Sequence, residues 1–551
     1  MVFYQVIFLI VIFKFISSED NIREEIDLSQ KNEKFDIKSL LEELQKSDLI
    51  PNFMAQSTQS TQKTQKSRFL QEIPKLNTCK KRKDKSGSDY YDFFPSYEGN
   101  LRRQGDSFKY QNSCNSTTII SLKKLSLEEA VITFDYTQTH YLCYNFFIVG
   151  TSNFNKFKFL TYFSKYELIL KNLSQDDLDE ISVNGIRLFS FCQQNVLDIL
   201  WSFFKTLEPF GRKNPLDIFH HDPDFAMKAV IDILTRYIGN PPIERDPNVQ
   251  NSTVLIDENI IKTGDHFAIS SVSDYATIMQ LGTFAHTTHS AVACRFNNTL
   301  YICESSGSGG IRKVPYRQWI EMIKNQNEST AFLPLREEWR SKFDEEKALE
   351  WFKTMEGLPW GFDDLIFTFF DTPTSNMPDQ IDSEFLLTFM SFFSQYTSVF
   401  RQEIILEGLN IRLNTTNLTL VQIVAEASRR NMTFEEILSI PEKDGTIYSD
   451  GQNLVCSTLV VAFWKAGGMF SGMEINAAEF TIRDVYELNI FENDLKNLRP
   501  QACKDADPDL EYCQIVGKYK LTLPYYNTVT PYSNMNERCP LLPPGQRLEG
   551  C

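Results

Sequence analysis

The stretch Leu454-Val455-Cys456-Ser457-Thr458-Leu459-Val460-Val461-Ala462-Phe463-Trp464 is apolar on nearly every side of a helix and runs out at Gly467-Gly468. It is long enough for about three helical turns, and its glycines suit a helix C-cap. A helix with no polar face has to be buried, so this segment is expected at the centre of a core. Cys456 falls in its first turn. A helix N-terminus carries partial positive charge, which favours thiolate over thiol. Two readings of Cys456 stay open: a nucleophile, or a core cysteine, because free cysteine is among the most buried residue types.

Upstream, His289-Ser290-Ala291-Val292-Ala293-Cys294-Arg295-Phe296 and Thr299-Leu300-Tyr301-Ile302-Cys303-Glu304 read as two strands with a turn at Asn297-Asn298. In the first strand His289, Ala291 and Ala293 share one face. Small residues beside a histidine leave room for a second element, and the helix carrying Cys456 is expected there. Glu304 ends the second strand, just before the loop Ser305-Ser306-Gly307-Ser308-Gly309-Gly310. Cysteine, histidine and a third polar group match the logic of acyl transfer: nucleophile, base, and a group that orients the base. The alternative for His289 is a structural strand histidine. His286 is a rival base three residues earlier.

Four stretches carry a resemblance to a known family. They are Lys262-Thr263-Gly264-Asp265-His266-Phe267-Ala268, His289-Ser290-Ala291-Val292, Glu356-Gly357-Leu358-Pro359-Trp360-Gly361-Phe362, and Tyr448-Ser449-Asp450 with Val455-Cys456-Ser457. In this order they resemble the circularly permuted branch of the NlpC-type papain-like cysteine amidases, related to the lecithin:retinol acyltransferase clan. The resemblance covers roughly residues 255 to 490. It implies an α+β fold, a small antiparallel sheet packed on a nucleophile helix. It also implies Cys456 as nucleophile, His289 as base and Glu304 as third member. Trp360, Phe362 and Tyr448 are the expected cleft aromatics, with core packing as their alternative role. A helical insertion of about 370–445 separates the two halves of the domain.

The expected activity is a thiol hydrolase, a peptidase or amidase cleaving an amide or isopeptide. Two other classes stay open: a thiol acyltransferase or lipid hydrolase, and a non-catalytic secreted or surface binding protein of the same fold. The expected partner is a peptide, isopeptide or acyl substrate. No cofactor is expected. A net charge of −16 argues against nucleic acid and anionic membranes as partners. Lys80-Lys81-Arg82-Lys83-Asp84-Lys85 is a short basic cluster in a polar region. No metal site is expected, since the pair His220-His221 would face apart on a regular element.

At 551 residues the chain exceeds one core and implies two or more domains. Residues 1–18 are expected to be a signal peptide: the apolar run Val2 to Phe13 has the length of a signal core and is too short to span a membrane. Residues 19–74 are charged and then low-complexity, a disordered linker. Residues 75–254 form a β-rich and helical N-terminal region, 255–490 the catalytic domain, and 491–551 a Cys/Pro-rich tail. The short runs Thr117–Ile120, Ala130–Tyr136, Phe146–Val149 and Phe157–Phe163 read as strands. Phe385 to Ile404, Leu420 to Arg430 and a capped segment at Met432-Thr433-Phe434-Glu435-Glu436 read as helices of the insertion.

There are eleven cysteines. With Cys456 set aside as a free thiol, an even number remains for disulfides, as suits the secretory pathway and a secreted or endolysosomal protein. Cys503, Cys513, Cys539 and Cys551 are expected to pair mainly among themselves. No transmembrane segment is expected in the mature chain. Sequons at Asn115, Asn172, Asn251, Asn297, Asn327, Asn414, Asn417 and Asn431 are glycosylation candidates, Asn297 foremost because it sits in the expected hairpin turn.

Overall fold

The computed structural model describes residues 95–111, 117–136, 145–160, 165–191, 223–250, 253–283, 285–326, 328–361, 402–438, 440–448, 451–452, 454–492 and 499–535, with Glu208 and Leu387 singly. All belong to one unit, Thr78–Cys551. The fold is α+β, and its sheets are antiparallel. The expected signal segment, linker and basic cluster lie outside the described residues, as do His220, His221, Phe362, Cys539 and Cys551.

The N-terminal region is a pair of four-stranded sheets. Its strands are β1 (Ser96–Leu101), β2 (Ser107–Gln111), β3 (Thr117–Leu125), β4 (Glu129–Tyr136), β5 (Asn145–Gly150), β6 (Asn155–Leu160), β7 (Lys165–Lys171) and β8 (Ile186–Ser190). They order as β1-β8-β5-β6 and β2-β3-β4-β7. Alternate residues of both sheets enter one core, including Ile120, Leu122, Ile132, Phe134, Phe147, Val149, Leu170 and Leu188. Phe134 and Phe147 stack across it with ring centroids 4.6 Å apart. The helix Gln175–Val183 closes this region with a capping box on Ser174.

The helical insertion rests on that helix. Leu420–Arg429 and Phe434–Leu438 share a core with Leu409 and Leu413. Asn184 donates to Ser428 Oγ at 3.1 Å and its Oδ1 accepts the Phe434 N–H at 3.0 Å. Arg429 pairs with Asp176 and Asp179. The insertion therefore bridges to the N-terminal region.

The remaining strands build the sheet that carries the site: β9 (His266–Ser270), β10 (His289–Phe296), β11 (Thr299–Ser306), β12 (Gly310–Pro315), β13 (Ser329–Leu333), the two-residue strands β14 (Ile447–Tyr448) and β15 (Gly451–Gln452), and β16 (Cys513–Val516). Six of these order as β12-β11-β10-β9-β13-β16, while β14 and β15 pair with each other. β10 and β11 join through Asn297 (φ 50°) and Asn298 (φ 62°), a two-residue turn of the type that suits strand twist. β16 comes from the stretch expected as a stapled tail. Its disulfide Cys503–Cys513 anchors it to the helix Gln501–Ala506, and it pairs with β13 as the edge strand.

The sheet is buried on both faces. Ala268, Val292, Cys294, Cys303, Ala331 and Leu333 face a core with Leu459, Val460, Phe463 and Trp464 of the helix Cys456–Ala466. Phe267, Ile269, Ala291, Ala293 and Ile302 face the other way, onto Trp319, Ile320 and Ile323 of the helix Tyr316–Asn325. The expected face for the Cys456 helix is therefore corrected. Ala291 and Ala293 meet the Trp319 helix, while the Cys456 helix lies against their alternate neighbours. The reason is bulk: the broad Cys456 helix packs on Val292 and the disulfide-linked Cys294 and Cys303, whereas the alanines leave room for the indole of Trp319.

The Cys456 helix ends as its glycines require. Gly468 has φ 78°, its N–H donates to Lys465 O, and the Met469 N–H donates to Trp464 O. The Trp464 indole N–H donates to Gly264 O at 2.8 Å, which locks the helix to the turn before β9. Gly310 is the second position where glycine matters. It opens β12 at φ 60°, and a Cβ there would collide with the carbonyl of Leu358. Gly310→Ala is therefore expected to cost about 1–3 kcal/mol, from left-handed backbone strain plus displacement of the Leu358 segment. A thermal unfolding midpoint unchanged from wild type would contradict this.

Candidate active site

Cys456 is the first residue of its helix, 7 % exposed, and its thiol is free. Val455 occupies the N-cap and makes no side-chain cap. The first N–H groups of a helix have no partner within it, so they face outward beside the thiol. The backbone before Cys456 is held in place: Leu454 O accepts from Ser305 Oγ at 2.7 Å and from the Gly361 N–H at 3.3 Å. The Gly357–Gly361 segment is pinned in turn to β12, through Ile311 N–H to Leu358 O at 2.9 Å and Gly357 N–H to Ile311 O at 2.8 Å.

His289 is the first residue of β10, at the sheet end where the Cys456 helix begins. Its Nε2 is 3.0 Å from Glu304 Oε2, and its side chain is 20 % exposed. The charge of Cys456 also acts on the ring, and with Nε2 on Glu304 the nitrogen left open is Nδ1. Burial, the largest influence, pulls the His289 pKa down. The charge of Cys456, its hydrogen bond, and the hydrogen bond and charge of Glu304 together carry it well above the ordinary histidine value.

Glu304 is nearly closed to solvent and fully satisfied. Oε2 accepts from Trp319 Nε1 at 3.0 Å as well as facing His289; Oε1 accepts from Arg312 Nε at 2.9 Å and Nη2 at 2.6 Å. Burial pushes its pKa up, but His289, Trp319 and Arg312 outweigh that and bring it to about 2. The carboxylate is ionised across the physiological range and holds the imidazole from behind.

Arg312 and Trp319 were not anticipated from sequence. Arg312 had a readable signal, since counting back from the loop at Gly307–Gly309 pairs it with Glu304 in the β11–β12 register. Trp319 had none, because only packing of the Tyr316–Asn325 helix brings its indole to Glu304.

The other candidates have different roles. His286 Nδ1 lies 2.9 Å from Thr522 Oγ1 and 3.1 Å from Thr522 O, and burial lowers its pKa to about 4. His266 is fully buried between Trp464 and Phe491, with Nδ1 3.0 Å from Ala291 O. Tyr448 is 3 % exposed, and its hydroxyl donates to Glu442, which also binds Arg412. It is a core residue in this structure, because a phenol that satisfies a buried carboxylate is committed to it. Trp360 is half-buried, one residue before Gly361 on the Leu454 contact. Of the sequons, Asn172, Asn297, Asn414, Asn417 and Asn431 are exposed and sit in left-handed turns, while Asn115, Asn251 and Asn327 lie outside the described residues.

Cys294 and Cys303 form a disulfide across β10 and β11. Among the described residues, no group of three or more His, Cys, Asp or Glu is placed to hold a metal ion. No helix among them is long and apolar enough to cross a membrane.

No protein-family model matches the chain, and no curated protein matches it. A search of solved structures finds a similarity to the metalloprotein yiiX from Escherichia coli O157:H7, at 20 % identity and a TM-score of 0.15, covering 24 % of this chain and 66 % of that one. A likeness of that size carries no argument about fold or chemistry.

Proposed function

We propose that the protein is a thiol hydrolase of the secretory pathway that cleaves an amide or isopeptide, on a permuted papain-like domain. The observation that carries this reading is His289, held by Glu304 at 3.0 Å and acted on by the charge of a free cysteine at the first turn of a helix. Cys456 is the nucleophile, His289 the base and acid, and Glu304 the group that orients and charge-stabilises the imidazole. With the proton on His289, the Cys456 thiolate attacks the acyl carbon. The carbonyl electron pair moves onto oxygen, stabilised by the Cys456 N–H at the helix start. His289 returns the proton to the leaving amine, the C–N bond breaks, and water deprotonated by His289 hydrolyses the thioester.

Alkylation by iodoacetamide tests this without a known substrate. An ordinary thiol titrates near about 8.5, so its labelling falls about tenfold per unit below that pH. Stabilisation that depends on the His289 proton is present below the raised His289 value and lost above it. Cys456 is therefore expected to label nearly as fast at mildly acidic pH as at neutral pH, and His289→Ala should restore the ordinary dependence. Ordinary dependence in the wild type, unaltered in His289→Ala, would refute the catalytic reading and leave a binding protein of this fold. Glu304→Gln is expected to cost less than either partner, since the amide keeps one acceptor for the imidazole while losing the charge. Equal loss in Glu304→Gln and His289→Ala would mean that the charge of Glu304, rather than its placement of the ring, is what matters.

A further inference from the structure

Among the described residues, the charged groups that act on one another at this end of the sheet are matched, with one exception. Glu304 is covered by Arg312 and His289, and His289 by Cys456. Glu328 stands apart. It lies where the chain leaves the Trp319 helix, its N–H donating to Ile323 O at 3.1 Å, and enters β13. In that sheet Thr330 is opposite Ile269, which is opposite His289, so Glu328 emerges at the same sheet end as the histidine. It is half-buried, and among the described residues its carboxylate has no hydrogen-bond or ion-pair partner. The titratable groups that act on it are His289 of β10 and Glu304 of β11. Burial and the charge of Glu304 push its pKa up to about 7 against the opposing effect of His289. A half-buried carboxylate without a partner is costly to keep in a protein unless something arrives to pair with it.

We infer that Glu328 is a specificity-determining residue: its carboxylate receives a positively charged group of the substrate, an ammonium or guanidinium, while the acyl carbon lies at Cys456. The inference rests on the catalytic reading above. It narrows the substrate class to amides or isopeptides carrying a cation close to the scissile bond. Glu328 binds and positions, and takes no part in the bond changes.

Two small thiol reagents of opposite demand test it on the full chain, in slightly alkaline buffer where Glu328 is ionised. Methyl methanethiosulfonate is neutral and 2-aminoethyl methanethiosulfonate is cationic. In both reactions the Cys456 thiolate attacks the sulfenyl sulfur, a disulfide forms, and methanesulfinate leaves. The expected result is a cation-over-neutral rate ratio that falls roughly fivefold or more in Glu328→Gln, the effect of removing one opposite charge at contact distance. The ratio separates the cation preference from any change in the His289–Cys456 pair, which alters both rates alike, and circular dichroism reports an intact fold. Glu328→Asp should keep part of the preference. Glu350→Gln, an exposed site, should keep all of it, which separates a local effect from the net charge of −16. An unchanged ratio in Glu328→Gln, or an equal fall in Glu350→Gln, overturns the inference alone. Slow neutral labelling that is insensitive to His289→Ala overturns it together with the catalytic reading.

Discussion

On the thiol-hydrolase reading proposed above, Cys456→Ser is expected to lower turnover by at least about 10³-fold while leaving the fold in place. The side chain is 7 % exposed and the replacement is close to isosteric, so the core around Leu459 and Val460 keeps its packing. What is lost is the acid–base match. A serine hydroxyl cannot transfer its proton to His289 and rest as the anion, as a thiol can. His289→Ala is expected to be comparably damaging, and the double variant little worse than either single one, because the two side chains act as a unit. The measurement is kcat/KM on any amide or isopeptide that the wild type turns over, with circular dichroism to confirm folding. A serine variant retaining a tenth of the wild-type rate would place the chemistry elsewhere.

Asp507→Ala is expected to destabilise the protein by about 3–5 kcal/mol. Arg245 and Asp507 are paired in the interior, with side-chain exposures of 0 % and 2 %. The guanidinium donates from Nε and Nη2 to the carboxylate and from Nη1 to Gly517 O at 3.0 Å. Removing the carboxylate leaves a buried cation with only carbonyls to meet it. The candidate site should suffer with the fold, because Arg245 ties the segment before β9 to the residues around β16, the edge strand of the sheet that carries His289 and Glu304. Replacing both partners with apolar residues should recover most of the loss, since the pair itself gains little once its desolvation is counted. Urea unfolding at equilibrium reads both variants. A loss under about 1 kcal/mol for Asp507→Ala would show that the pair is solvated rather than buried.

Much of the local structure could be read in advance because it is dictated by neighbours in the chain. The unbroken apolar run of Leu459 to Trp464 forces a buried helix, and Gly468 in its left-handed cap shows why the run ends where it does. Asn297 and Asn298 form the two-residue turn that strand alternation on either side demands. Cys456 is unpaired, and Cys503 joins Cys513 within the C-terminal cluster. These outcomes rest on backbone conformation, burial and short loop closure, all of which act over a few residues.

The relations between elements were decided by packing. Alternation showed that His289, Ala291 and Ala293 share a face, but not which helix would cover it. That depended on the fit of Trp319 against small side chains and of the Cys456 helix against Val292 and Cys294. For Tyr448 the sequence left cleft and core both open, and a buried carboxylate at Glu442 claims its hydroxyl. Glu304 needed Trp319, fifteen residues away on a helix, and the edge strand β16 came from almost two hundred residues beyond β13. A side chain's residue type and its spacing along one element are local properties. Which opposite charge, indole or strand it finally meets is a global one, set by the single arrangement that buries both faces of the sheet and leaves its polar atoms paired.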